Sequence, residues 1–347
     1  MSTQLKISSK LPDVKTSIFA IMSKMANEYN AINLSQGFPD FNCSEQLIEL
    51  VHHFMINGNN QYAPMQGTIE LRKQISLKVK RDYGREYNPG REITVTAGAT
   101  QALYTAFSAL VNKGDEVIIF EPAYDSYLPA IIANGGIPIS IKLDASDFSI
   151  PWQEVEKSIT KKTKCIVFNS PHNPTGAILN ESDILQLERI VKNTNIFLIS
   201  DEVYEHIIFD NQKHLSFAGY NELAKRSIII SSFGKTFHTT GWKMGYCCAP
   251  EYLTTEFRKF HQFIVFTVNT PIQLAVAEFL KDVTNIYTLP HFYQAKRDLF
   301  SSFIKNSKFI LKNCNGTYFQ LLDYSRISDK NDFEFSEYLT KEIGVAV

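Results

Sequence analysis

The order of apolar runs along this 347-residue chain predicts an α/β fold: a large domain built on a mostly parallel sheet between helices, with a smaller α+β unit after it. Three observations carry this expectation. Short apolar, β-branched runs alternate with longer segments of helical period through the middle of the chain. Small and polar residues cluster just after those runs, at the strand ends where open α/β sheets bind ligands. Beyond residue 285 the alternation gives way to helix, strand and helix.

Residues 45–57 have the period of an amphipathic helix. Residues 92–96 form a short β run, and 99–111 return to helical period. Residues 116–120 are apolar and β-like, and 131–134 end a short helix before Gly135-Gly136. A buried strand is expected at 164–169, a helix at 181–192, and further strands at 196–200, 227–231 and 245–249. In the smaller unit, 293–306 and 333–342 read as helices and 317–323 as a strand. The expected division is an N-terminal arm with part of the small domain (1–44), a large domain (45–285) and a C-terminal small domain (286–347), so that the small domain is discontinuous.

With 35 basic and 36 acidic residues, the chain has a formal net charge of −1, which gives no electrostatic reason to expect nucleic acid or an anionic membrane as partner. No apolar run approaches a membrane span, and the opening Met1-Ser2-Thr3-Gln4-Leu5-Lys6 lacks a signal-peptide core, so a cytoplasmic location is expected. Five cysteines build no disulfide framework, and the adjacent Cys247 and Cys248 read as core filler on a strand. His52 and His53, neighbours on a helix, point about 100° apart, so no metal is expected there.

Four polar motifs follow strands. Thr96-Ala97-Gly98-Ala99-Thr100-Gln101 lies at a strand-to-helix turn, where small residues admit a ligand and the helix N-terminus favours an anion; it matches no G-x-G-x-x-G fingerprint, and a plain tight turn explains it equally well. In Asn169-Ser170-Pro171-His172-Asn173-Pro174-Thr175-Gly176 the prolines stiffen a loop that presents Asn173, either as an Asx-turn or as a donor to a ligand oxygen. In Ser200-Asp201-Glu202-Val203-Tyr204 a carboxylate follows an apolar strand. Asp201 is either a helix N-cap or the partner of a buried cation such as a protonated pyridine nitrogen, with Tyr204 donating to the same ring's phenolic oxygen.

Ser231-Ser232-Phe233-Gly234-Lys235-Thr236 places a lysine on a short tether after a buried strand, with Lys243 eight residues on. Such an amine, beside a second cation and a hydroxyl, suits a covalent imine to an aldehyde cofactor whose phosphate Ser232 and Lys243 hold. Burial and the Lys243 charge are expected to lower its pKa, as a general base requires.

These motifs, in this order and spacing, resemble those of the class I/II aminotransferases, the fold-type-I pyridoxal 5′-phosphate enzymes, over nearly the whole chain. Asn33-Leu34-Ser35-Gln36-Gly37-Phe38-Pro39-Asp40, Asn60-Gln61-Tyr62-Ala63-Pro64-Met65, Ser200-Asp201-Glu202-Val203-Tyr204-Glu205-His206 and Gly241-Trp242-Lys243-Met244-Gly245-Tyr246 look most like the bacterial methionine aminotransferases of the kynurenine/glutamine transaminase branch. The resemblance implies a seven-stranded sheet and ping-pong transfer of an amino group from methionine, aromatic amino acids or glutamine to a 2-oxo acid, with Lys235 as Schiff-base lysine and general base. It implies that Gly37 offers its N–H to the substrate carboxylate and that Asn173 touches substrate and cofactor. Ala99 and Thr100 would offer phosphate-binding N–H groups, Tyr124 would stack on the pyridine, and Tyr62 would reach the phosphate of the other subunit of a homodimer. Asp201, Tyr204, Ser232, Lys235 and Lys243 take the roles argued above; Lys243 stands where many relatives have arginine, with less bidentate geometry. Phe19, Phe38 and Tyr124 are candidates for an aromatic substrate pocket, the first two reading more readily as plain core residues.

One departure has a consequence. In this family an arginine well beyond a segment resembling Glu342-Ile343-Gly344-Val345-Ala346-Val347 binds the substrate α-carboxylate, and no residue here matches it. Losing such a pair commonly costs about 2–5 kcal/mol. The expectation is a truncated chain that holds cofactor but handles amino acids poorly. Two other readings of the same site are a cysteine-S-conjugate β-lyase and a cofactor-binding domain without turnover.

Overall fold

The computed structural model describes residues 7–35 and 37–347. Near the chain ends, β1 (Ile32–Asn33) pairs in parallel with the C-terminal Val345–Ala346. The central strands are β2 (Ile93–Thr96), β3 (Glu116–Glu121), β4 (Ile137–Lys142), β5 (Thr163–Asn169), β6 (Phe197–Asp201), β7 (Ser227–Ser232) and β8 (Gly245–Cys248). They form one seven-stranded sheet in the order β2-β8-β7-β6-β5-β3-β4. The run from β7 to β4 is parallel, and β8 is antiparallel to both of its neighbours. In the smaller unit β9 (Ile310–Leu311) pairs antiparallel with β10 (Leu322–Asp323). Among the described residues no helix is long and apolar enough to cross a membrane.

The near-continuous apolar runs of β5 to β8 have a simple cause: helices cover both faces, so inward and outward side chains are both buried. Ile118, Ile166, Leu198, Ile229 and Cys248 face one core, which the helices Ile69–Tyr83, Glu181–Val191 and Thr270–Phe279 complete. Val117, Val167, Ile199, Ile228, Ile230 and Cys247 face the other, against the helices Gly98–Leu110 and Glu251–Ile264. The adjacent cysteines therefore fill opposite cores, and all five cysteines are free thiols.

Several elements differ from the sequence expectation, which names none of the covering helices Ile69–Tyr83, Glu251–Ile264 and Thr270–Phe279. The edge strand β4 went unforeseen, because it is largely exposed, contains Pro138 and lacks a continuous apolar run. The expected strand 317–323 pairs only at Leu322–Asp323. Its first residues are drawn to the large sheet's loops: Gly316 bridges Ile208, the Thr317 N–H donates to the Ile207 carbonyl (2.9 Å), and Thr317 takes φ +68°. A Cβ at Gly316 would lie 2.7 Å from that same carbonyl, so this close approach needs glycine.

A buried carboxylate ties the sheet to its covering helix. Glu205 accepts from Lys78 Nζ (2.7 Å), Tyr83 (2.5 Å), Tyr246 (3.2 Å) and Ser231. Burial alone would raise its pKa, but the Lys78 ammonium and the donated hydrogen bonds outweigh it and hold the carboxyl well below its ordinary range. A depressed carboxyl stabilises the fold above its unfolded pKa, and that contribution fades as pH falls. Glu205→Ala, which strands Lys78, should cost about 3–5 kcal/mol in urea unfolding at neutral pH. The difference from wild type should narrow on acidification from about pH 5 to about pH 3.

Candidate active site

The C-terminal ends of β5, β6 and β7 and the start of the helix Gly98–Leu110 line a cleft of about 670 Å³, part of it open solvent. One end gathers groups that could hold an anion. The turn into the helix passes through Gly98 at φ +78°, which leaves the first N–H groups, at Ala99 and Thr100, on the cleft wall. Gly245, at the start of β8, packs directly behind: a Cβ there would sit 2.8 Å from the Ser231 carbonyl and 3.0 Å from Ala99 N. Lys243 is held in the left-handed region (φ 54°), with its amine beside Gly98. Ser232 and Thr240 complete this end.

The same cleft carries a buried carboxylate. Asp201 is the last residue of β6 and 3% exposed; no helix follows it, so the N-cap reading does not hold. Its Oδ2 accepts from Tyr127 at 2.6 Å, and its Oδ1 lies 3.4 Å from Val203 N. Burial pushes its pKa up to about 6, only partly offset by these donors and the Lys235 charge. Asn169 organises the adjoining loop: its amide donates to the Asp201 carbonyl (2.9 Å), and its oxygen accepts from the Asn173 N–H (2.7 Å), setting Asn173 on the cleft wall. Tyr204 is buried beneath, and Tyr124 bonds Thr100 through their hydroxyls (3.1 Å).

Lys235 stands in the same cleft on the one-turn helix Phe233–Thr236 directly after β7. Nζ donates to the Tyr318 hydroxyl (2.7 Å) and the Gly37 carbonyl (3.2 Å). Burial and then Lys243 lower its pKa to about 8, against a smaller opposing pull from Asp201.

The structure thus gathers Ala99, Thr100, Tyr124, Asn173, Asp201, Tyr204, Ser232, Lys235 and Lys243 around one cleft. Gly37 meets it through its carbonyl. Tyr62 does not enter: it is 81% exposed and packs edge-on against Phe266 (5.2 Å). Of the three aromatic candidates only Tyr124 lines the cleft; Phe38 is exposed and Phe19 half-buried, so neither is core. Tyr127, Asn169 and Tyr318 were missed. Asn169 was visible as the first residue of its motif, whereas Tyr127 and Tyr318 reach the site across long stretches of chain.

The family model for aminotransferases of class I and II matches residues 29–347. This chain belongs to the class I and II aminotransferase family. It is 47% identical to a methionine aminotransferase of Escherichia coli over 97% of this chain and 88% of that protein. It is 34% identical to a kynurenine–oxoglutarate transaminase of Dictyostelium discoideum, over 99% of this chain and 88% of the other. A solved E. coli structure assigned a methionine aminotransferase function superposes with a TM-score of 0.97, covering 99% of this chain and 90% of that one at 47% identity. An N-succinyldiaminopimelate aminotransferase from Mycobacterium tuberculosis superposes at 0.95, with 35% identity, over 98% and 90% of the two chains.

The aminotransferase carries a stability penalty at Asp201. A carboxyl with a raised folded pKa binds more protons folded than unfolded between its ordinary 3.8 and about 6, so stability is lost as pH rises through that window. Asp201→Asn keeps an acceptor for Tyr127 and removes the charge. The cofactor-free variant should be on the order of 2 kcal/mol more stable than wild type near pH 7, with the gap closing near pH 4, as read by chemical denaturation.

Proposed function

We propose that the chain uses pyridoxal 5′-phosphate to transfer amino groups from methionine, aromatic amino acids or glutamine to a 2-oxo acid. The single observation behind this is the set of three unlike subsites in one cleft: an anion cradle, a buried carboxylate without a full cation partner, and an amine of lowered pKa. A ligand that fits all three carries a phosphate, a basic ring nitrogen and an aldehyde. The Ala99 and Thr100 N–H groups, Ser232 and Lys243 would hold the phosphate, Asp201 the ring nitrogen, Asn173 and Tyr204 the phenolic oxygen, and Tyr124 a ring face. When bound, the cofactor supplies an electrophilic carbon for amines and an electron-withdrawing ring that acidifies the substrate α-carbon.

Lys235 anchors through Nζ and, once free, takes the substrate α-proton onto that nitrogen. A neutral amine is required, and a pKa of about 8 leaves a usable neutral fraction near neutral pH. Asp201, kept from water and braced by Tyr127, would hold its charge more firmly when a cation faces it. Gly37 would offer its N–H to the substrate carboxylate. The donor preference draws on the methionine and kynurenine transaminases among the relatives. Exposed Tyr62, Phe263 and Phe266 offer an aromatic patch for a second copy of the chain, in which Tyr62 would serve the neighbouring cleft. The small domain would comprise the N-terminal arm and the residues after 285. Five free thiols suit a reducing cytoplasm.

The test is the visible absorbance of the cofactor-loaded protein before and after L-methionine. Conversion of the band with release of the 2-oxo acid is expected, slow to the extent that no arginine meets the substrate carboxylate, together with a fall of at least about 10²–10⁴-fold in Lys235→Ala. Normal turnover in that variant would sink the reading. Pyruvate and ammonia formed from a cysteine conjugate, with no 2-oxo acid added, would replace it with β-elimination.

A further inference from the structure

Two segments that belong to neither the sheet nor its motifs meet at the Lys235 amine. Tyr318, in the turn that Thr317 makes against Ile207, brings its hydroxyl within 2.7 Å of Nζ. Gly37, in the N-terminal segment, brings its carbonyl within 3.2 Å. The two also bond each other, the Tyr318 hydroxyl donating to the Gly37 carbonyl. A phenol has one proton and two lone pairs. Here the proton is committed to Gly37 and a lone pair takes Lys235.

The ring that presents this hydroxyl has little freedom. Tyr204 packs edge-on against it at 5.2 Å, Phe319 lies at 5.1 Å and Tyr293 at 5.7 Å. Gly37 is equally constrained: a Cβ there would fall 2.8 Å from the Tyr318 ring and 2.4 Å from Phe319. A lysine side chain, by contrast, carries about 2 kcal/mol of rotamer entropy, so a released amine disperses unless something fixed receives it.

We propose that the Tyr318 hydroxyl and the Gly37 carbonyl form a dock for the Lys235 amine whenever that amine is not covalently engaged, holding Nζ in place to exchange a proton with the substrate α-carbon. Tyr318 is then a positioning residue that acts through Lys235, and the inference rests on the role given to Lys235 under Proposed function. The dock also links the N-terminal segment and the turn at Thr317 to the reacting nitrogen, so the site is complete only when both lie against the sheet.

Tyr318→Phe keeps the ring and removes the dock's hydroxyl. In the cofactor-free protein the pH dependence of Lys235 acetylation by acetic anhydride, followed by mass spectrometry, reads the amine directly. The groups facing Nζ are Asp201, Lys243, Tyr204 and Tyr318. With only the last altered, the ammonium loses an acceptor and its pKa should fall below the wild-type value of about 8. In the loaded protein the half-reaction with L-methionine should slow by about tenfold, equivalent to ~1.4 kcal/mol, with a larger rate difference between α-protio and α-deuterio methionine. A variant with 3-fluorotyrosine at 318 keeps shape and hydroxyl but weakens the acceptor, so it should move the lysine pKa in the same direction by less, even if the phenylalanine variant folds poorly. An unchanged lysine pKa with an unchanged deuterium effect in either folded variant overturns the dock. Failure of the underlying reading looks different: Lys235→Ala would retain the half-reaction.

Discussion

Both faces of the central sheet are covered, and that constraint decides where chemistry can occur. Most side chains along β5 to β8 enter apolar cores, so polar residues gather near the strand ends. Asp201, Ser232 and Lys235 all lie at or just past such ends. The parallel run from β7 to β5 brings their ends to one edge, and the antiparallel β8 returns its first residue, Gly245, to that edge. Because Gly245 has no side chain, the N-terminus of the helix Gly98–Leu110 closes against it at the cleft.

The same burial makes the site costly to keep. Asp201 and Lys235 are each displaced toward their neutral forms, one up and one down, for the same first reason: desolvation. Neither is fully satisfied by the protein. Glu205, one residue past Tyr204, is the opposite case, a carboxylate with a lysine and three hydroxyls donating to it. The Glu205 charge is satisfied internally, while the charges of Asp201 and Lys235 lack full partners within the protein.

The site also depends on parts of the chain that carry no part of the sheet. Gly37 and Tyr318 approach Lys235 from segments 198 and 83 residues away in sequence. Their mutual hydrogen bond and the packing of Phe319 on Gly37 make them one unit. The turn at Thr317 is the structural reason: its backbone bonds the loop after β6 instead of extending β10. What sequence pattern presents as one strand is divided between two partners.

Read alone, the sequence determined the elements whose signals are local. Apolar runs mark β5 to β7 because both faces are buried, and the polar residues after them mark the site because the backbone turns there. Asp201, Lys235, Asn173 and Lys243 were legible for that reason. Tertiary structure alone decided which more distant side chains complete each of these groups. Tyr127 reaches Asp201 across 74 residues, and nothing near Tyr127 in the chain signals that bond. The edge strand β4 and the split of 317–323 were likewise settled by neighbours in space. Local periodicity records which face of an element is buried, but a hydrogen bond or a close backbone approach between distant segments leaves no periodic trace.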